Sequence, residues 1–275
     1  MAPSGPMKLD GTRTLVTGAS SGIGAELAVQ LGEVGARVCL AARRRELLDE
    51  VAERVRRAKP SAVAHALPVD LDTEAACRGL VDRSVEALGG LDLLVINAGI
   101  SMNALFEELP DPLATARAIM ETNYFAAVAL TAQALPHLRR SRGRIVVVSS
   151  LIGVAPLPTR TAYAASKHAV HGFFDSLRAE VGAEVGITLA CPGAVATPIR
   201  EVSRAQGRGA TASELPDDEQ MSAAECARLI LDAARSEKRE LLMTLPGKLS
   251  PWMRLIAPGV IDRVTRYKLG LHRRR

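Results

Sequence analysis

Seven short runs rich in Val, Ile, Leu and Ala alternate with longer stretches of helical periodicity, and this alternation limits the folds open to the chain. The runs occupy residues 14–16, 37–41, 62–68, 91–96, 144–149, 186–191 and 240–244. They are apolar throughout rather than every second residue, as expected of strands covered on both faces. Helical patterns fill residues 22–34, 44–58, 73–88, 112–140, 161–185 and 222–236, the fourth breaking near Glu121. Strands separated by helices can pair in parallel, so an α/β doubly wound sheet is predicted, with about seven parallel strands and helices on both faces. At 275 residues and 48% hydrophobic content, the chain supports one large domain over residues 1–245.

In such sheets, ligands bind outside the carboxyl ends of the strands. Five polar or glycine-rich signals fall on that rim. Gly18, Ser20, Ser21, Gly22, Ile23 and Gly24 follow the first strand, and Asp70 and Leu71 follow the third. Asn97, Ala98 and Gly99 follow the fourth, Ser150 the fifth, and Pro192 and Gly193 the sixth. Glycines after a first strand permit a tight turn and let the next helix's N-terminus approach a pyrophosphate.

Tyr163 and Lys167 stand four positions apart on a predicted helix, thirteen residues beyond Ser150. That spacing puts them on one face. Moving a phenol from its ordinary pKa of about 10 to about 7 takes roughly 4 kcal/mol. A unit charge about 4 Å away, at an effective dielectric of about 20, supplies roughly that much. The pair is therefore predicted to form an acid–base group.

This set of motifs closely resembles the short-chain dehydrogenase/reductase family, across residues 11–198. The shared elements are T-G-x-x-x-G-x-G from Thr17 to Gly24, N-A-G at Asn97, Asn123 in the following helix, Ser150, Y-x-x-x-K at Tyr163, and P-G at Pro192. The resemblance implies a Rossmann-like fold and hydride transfer between a nicotinamide and a carbonyl or alcohol. It implies that Tyr163 exchanges the proton and that Ser150 holds the reacting oxygen. Lys167 would lower the phenol's pKa and bind the nicotinamide ribose, and Asn123 would hold a water joining Lys167 to solvent. Asp70 would hold the adenine amino group, Asn97 the adenine-side wall, and Val195 with Thr197 the nicotinamide amide. Homodimers or homotetramers built on the helices around Asn123 and Tyr163 are expected, with Phe125, Ala127, Val128 and Phe173 on their outer faces.

An acidic residue ending the second strand would accept from a ribose 2′-hydroxyl and repel a 2′-phosphate. Ala42 stands there instead, followed by Arg43, Arg44 and Arg45. Arg43 can form a charge-assisted fork with phosphate, which favours NADP(H) over NAD(H). Competing readings have weaker support. G-x-S-x-G at Gly18 to Gly22 also matches a hydrolase nucleophile elbow, but no later Asp and His are marked by position. A non-catalytic redox reporter would be expected to lose Tyr, Lys or Ser, whereas a 3-oxoacyl thioester reductase would retain them all. Ile100, Met102, Leu151, Ile152, Val154 and Leu157 form the expected apolar pocket wall, and residues 197–222 the expected lid.

Cys39, Cys77, Cys191 and Cys226 lie far apart, with no C-x-x-C pair and no histidine nearby in sequence. Buried free thiols and no metal are expected. The five histidines read as packing or surface residues. No leader-like or 18-residue apolar run is present, so a cytoplasmic protein is expected. Residues 246–275 hold eight Lys or Arg against one Asp, so this tail carries +7 and residues 1–245 carry −2. The main domain therefore lacks the basic stripe expected for nucleic acid. The tail reads as a basic amphipathic segment, suited to a membrane interface or to protein packing, and the Pro258-Gly259 break favours packing.

Overall fold

The computed structural model describes residues 7–199 and 220–268. Seven strands form one parallel sheet in the order β3-β2-β1-β4-β5-β6-β7. They are β1 (Arg13–Thr17), β2 (Arg37–Ala42), β3 (Val63–Pro68), β4 (Leu93–Ile96), β5 (Arg144–Val148), β6 (Gly186–Cys191) and β7 (Glu240–Leu242). Every ladder is parallel, with Leu15 opposite Cys39 and Leu94, and Val146 opposite Val95 and Thr188. The order reverses between β1 and β4, which sets a ligand crevice at their carboxyl ends.

The connecting helices are α1 (Gly22–Glu33), α2 (Arg45–Ala58), α3 (Glu74–Leu88), α4 (Pro112–Met120), α5 (Ala126–Ser141), α6 (Thr161–Val181) and α7 (Ala223–Arg235). Two apolar layers cover the sheet. One joins Val16, Leu40 and Val146 to α1, α2 and α7 through Leu27, Val55 and Ile230. The other joins Leu15, Leu94 and Ile145 to α3, α5 and α6 through Leu80, Leu130 and Phe174. Apolar burial from both faces explains why the strands lack alternation.

Some boundaries differ from the sequence expectation. β4 starts at Leu93 rather than residue 91, and Asp92 just before it accepts from the Arg13 guanidinium at 2.9 Å through Nε. α6 ends at Val181, where Gly182 takes a positive φ of 56°. The fourth helix breaks where expected, as a π-turn over Glu121–Phe125 between α4 and α5. Beyond β7 lie two further helices, α8 (Leu245–Ile256) and α9 (Pro258–Lys268). Thr244 caps α8 by accepting from the Gly247 amide at 3.1 Å. Residues 200–219 of the expected lid fall outside the described residues.

Candidate active site

The glycine turn is built by close approach. Gly18 has a φ of +64°, and a Cβ there would come within 2.8 Å of Ala98 Cα. A Cβ on Gly24 would overlap both the Gly18 carbonyl oxygen and Asn97 Nδ2. Asn97 Nδ2 donates to the carbonyls of Thr17 and Gly18 at 3.0 and 3.2 Å, stitching the end of β4 to the turn. Thr17 Oγ1 accepts from the Asn97 and Ala98 amides at 3.0 and 3.2 Å, a role not singled out from sequence. Ser21 precedes α1 without capping it through its side chain. The first-turn N–H groups of α1 therefore suit an anion, and the bare glycine cradle fits a pyrophosphate.

Arg44, rather than Arg43, reaches this turn: its Nη2 donates to Ser20 Oγ at 3.2 Å and to Ser21 Oγ at 3.1 Å. Arg43 is exposed beyond the end of β2. The partner of Ser20 is thus a guanidinium and not an imidazole, which removes the basis for a nucleophile elbow. Thr197 packs on the turn from the other side, where a Cβ on Gly22 would lie 3.0 Å from Thr197 Cγ2. Val195 bridges to Met221, and Asp70 is exposed after β3 while Leu71 is buried.

Ser150 directly follows Ser149 at the end of β5 and opens a single 3-10 turn, its hydroxyl accepting from the Ile152 amide at 3.2 Å. The Ser150 side chain also acts on the half-buried Tyr163 phenol, pulling its pKa down. Lys167 is buried, donates to the Val148 carbonyl at 3.1 Å, and lies 5.7 Å from the Tyr163 ring centroid. Burial pushes its pKa down to about 8. Burial also raises the phenol above its ordinary value, although Ser150 and the Arg160 guanidinium both pull it down. Lys167, expected to be nearly sufficient to bring the phenol near 7, does not by itself offset this burial. The ammonium stands over the ring and is held by a carbonyl, and desolvation of the phenolate outweighs what neighbouring groups supply.

Asn123 sits in the π-turn. Its Oδ1 accepts from the Ile100 amide at 2.8 Å, while Nδ2 donates to the Ile100 carbonyl and to Ser166 Oγ, each at 3.0 Å. It thereby ties the segment after β4 to α6. Gly99 packs closely here, since a Cβ on it would lie 3.1 Å from Asn123 Oδ1 and 3.8 Å from Lys167 Nζ. Arg160 and Ser166 carried no sequence signal. Arg160 Nη1 donates to Ser101 Oγ at 2.9 Å and to the Met102 carbonyl, fixing the wall beside Tyr163. Met102 itself is buried at 1% exposure beneath this contact, so it is core rather than pocket wall.

The sequence also separated residues that the fold joins. His171 Nε2 lies 3.0 Å from Ser149 Oγ and 3.6 Å from Cys191 Sγ, and Nδ1 lies 3.7 Å from Glu240 Oε1. His, Cys and Glu here have metal-like spacing, a convergence in space that sequence separation does not reveal. Burial holds His171 neutral at about 4 and raises the Cys191 thiol, and the Lys167 cation alongside disfavours a second cation. All four cysteines are buried and free. Because the folded-state pKa of His171 is depressed, its contribution is fully present above the unfolded value of about 6.5. As pH falls toward about 4, up to about 3 kcal/mol of stability is lost, since only the unfolded chain takes the proton. Urea denaturation at pH 7 and pH 5 should show this slope, and His171→Gln should flatten it.

Comparison with known proteins agrees with this geometry. The short chain dehydrogenase family model matches residues 12–208. The chain belongs to this family. The short-chain dehydrogenase resembles proteins named 11-beta-hydroxysteroid dehydrogenase A. The one from Arachis hypogaea is 38% identical over 255 residues, covering 90% of this chain and 72% of that protein. The one from Sesamum indicum is 38% identical over 268 residues, covering 93% and 75%. A dehydrogenase/reductase SDR family protein 7-like from Anopheles gambiae is 38% identical over 264 residues, covering 92% and 81%. As a short-chain dehydrogenase, the protein is an oxidoreductase of CH–OH and C=O groups that uses a nicotinamide cofactor.

Proposed function

We propose that the protein interconverts a ketone or aldehyde and its alcohol on a hydrophobic small molecule, with NADP(H) as cofactor and Tyr163 as acid and base. The observation carrying this reading is the convergence of Ser150, Tyr163 and Lys167, with Lys167 Nζ 5.7 Å from the Tyr163 ring centroid, on the same rim as the glycine cradle. When bound, NADP(H) supplies or accepts the hydride. Ser150 orients the substrate oxygen and stabilises charge that develops on it, and Tyr163 gives it a proton in reduction or removes one in oxidation. Lys167 contributes positive potential and the ribose contact. A water held by Asn123 would join Lys167 to solvent and restore the proton.

The cofactor assignments are Gly18, Ser20, Ser21, Gly22, Ile23 and Gly24 for the pyrophosphate, Asp70, Leu71, Asn97, Ala98 and Gly99 for the adenosine side, and Pro192, Gly193, Val195 and Thr197 for the nicotinamide. Ala42 removes the acid that would repel a 2′-phosphate, and Arg43 and Arg44 offer charge-assisted forks. Arg44 is placed as Arg43's equal partner because it already stands against Ser20 and Ser21. Each fork is worth about 2 kcal/mol, or about thirty-fold in affinity. Arg43→Ala and Arg44→Ala should each lower NADPH affinity by about that factor and leave NADH affinity unchanged, as read by nucleotide fluorescence titration. An unchanged NADPH:NADH ratio in both variants would refute this assignment.

Ile100, Leu151, Ile152 and Val154 give the substrate wall its apolar character. Together with the names of its relatives, this favours hydroxysteroid-like ketones and alcohols. NADPH consumption across steroids, retinoids, 3-oxoacyl thioesters, sugars and simple aldehydes tests the choice. The protein is also proposed to form homodimers or homotetramers through the α4–α5 surface, where Phe125 is half exposed. Ala127 is corrected to the core, being only 2% exposed.

A further inference from the structure

The most exposed apolar surface lies on the two helices beyond β7. Of thirteen exposed large hydrophobic side chains among the described residues, eight fall within α8 and α9, fewer than a tenth of the chain. On α8, Leu249, Trp252, Met253 and Ile256 recur at helical spacing, and Leu255 flanks them. On α9, Val260, Val264 and Tyr267 do the same. Trp252 is 66% exposed, Tyr267 70%, and Leu255 and Ile256 78% each. A packed helix buries such a stripe, whereas these two helices turn it outward. Neither is a membrane span, because no described helix is long and apolar enough to cross one.

We propose that α8 and α9 form an interfacial dock for an anionic lipid bilayer. The charge identifies the occupant. Lys248, Arg263 and Arg266 are exposed on the same two helices, and the 246–275 segment carries +7. A second copy seated on this face would oppose two such tails, whereas anionic headgroups complement them. Trp and Tyr beside the cations match the composition of interfacial helices, whose apolar side enters the headgroup boundary while cations stay at the surface. The break at Pro258, read from sequence as favouring protein packing, instead divides the dock into two short helices that both present apolar stripes. The dock begins at the catalytic rim, where Gly247 packs so closely on Leu151 that a Cβ would overlap it. This proposal is independent of the enzymatic reading, and its test uses no substrate.

Trp252 is the only tryptophan in the chain, so its fluorescence reports on this surface directly. The full-length protein should co-sediment with phosphatidylcholine vesicles containing phosphatidylserine, and its emission should shift to the blue. Binding to phosphatidylcholine alone should be at least about ten-fold weaker, and added salt should weaken the anionic case. Leu255→Ser with Ile256→Ser should abolish the blue shift, with circular dichroism and melting unchanged. Lys248→Glu with Arg263→Glu and Arg266→Glu should remove the preference for phosphatidylserine. Failure to bind phosphatidylserine vesicles overturns the proposal. So does a vesicle-independent blue shift that grows with protein concentration, which would assign the face to a second copy.

Discussion

Tyr163→Phe is expected to lower turnover by about 10²–10⁴-fold, the range for loss of a positioned acid or base, while leaving NADPH affinity unchanged. The substitution deletes one oxygen from a half-buried ring and retains the ring's packing. Ser150 still accepts from the Ile152 amide, and Lys167 still donates to the Val148 carbonyl, so their placement survives. The loss should therefore appear in kcat, with little change in substrate KM. Steady-state kinetics alongside nucleotide titration separate the two. Near-normal turnover by the variant would remove Tyr163 from the chemistry and pass the proton to another group.

The second large effect is expected from Gly24→Ala. Its new methyl would collide with the Gly18 carbonyl and with the Asn97 amide that stitches β4 to the turn. Backbone cannot yield as a flexible side chain does, so the amino end of α1 must move from the crevice. Overpacking of this kind costs about 1–3 kcal/mol, and the cofactor cradle bears the displacement. NADPH affinity should fall by at least about a hundred-fold, equivalent to roughly 3 kcal/mol. Gly79→Ala is the matched control: it sits within α3, and a Cβ there meets nothing within 4 Å. It should stabilise the protein by up to about 1 kcal/mol with unchanged NADPH binding. Melting and nucleotide titration on both variants would expose any general intolerance of alanine, because the control would then fail as well.

Much of the architecture was legible in the sequence because it rests on local chemistry. Val, Ile and Leu runs with helical stretches between them dictate a covered parallel sheet, and the rim motifs follow the strands that carry them. The break near Glu121 was visible as a fault in a long periodic pattern, and it became the π-turn that positions Asn123. The sequence could not supply contacts made only through space. Arg44 rather than Arg43 at Ser20 and Ser21, Arg160 on the Ser101–Met102 segment, and His171 beside Cys191 each depend on how separate elements converge. The same holds for the phenol's acidity. Four-residue spacing placed Lys167 on Tyr163's face, but the burial that raises the phenol is a property of the folded interior. Exposure of the α8 and α9 stripes was likewise invisible to periodicity, which marks an apolar face without saying what it faces.

The central claim is that Tyr163 becomes a usable acid and base only beside the dinucleotide, since burial alone holds its phenol above the ordinary value. Ultraviolet titration of phenolate formation, taken as the difference between wild type and Tyr163→Phe, measures this directly with and without NADP⁺. The positive nicotinamide ring should add to Lys167 and bring the Tyr163 transition well below about 10, the value of a free phenol. A phenol that stays above that value with NADP⁺ bound would contradict the account.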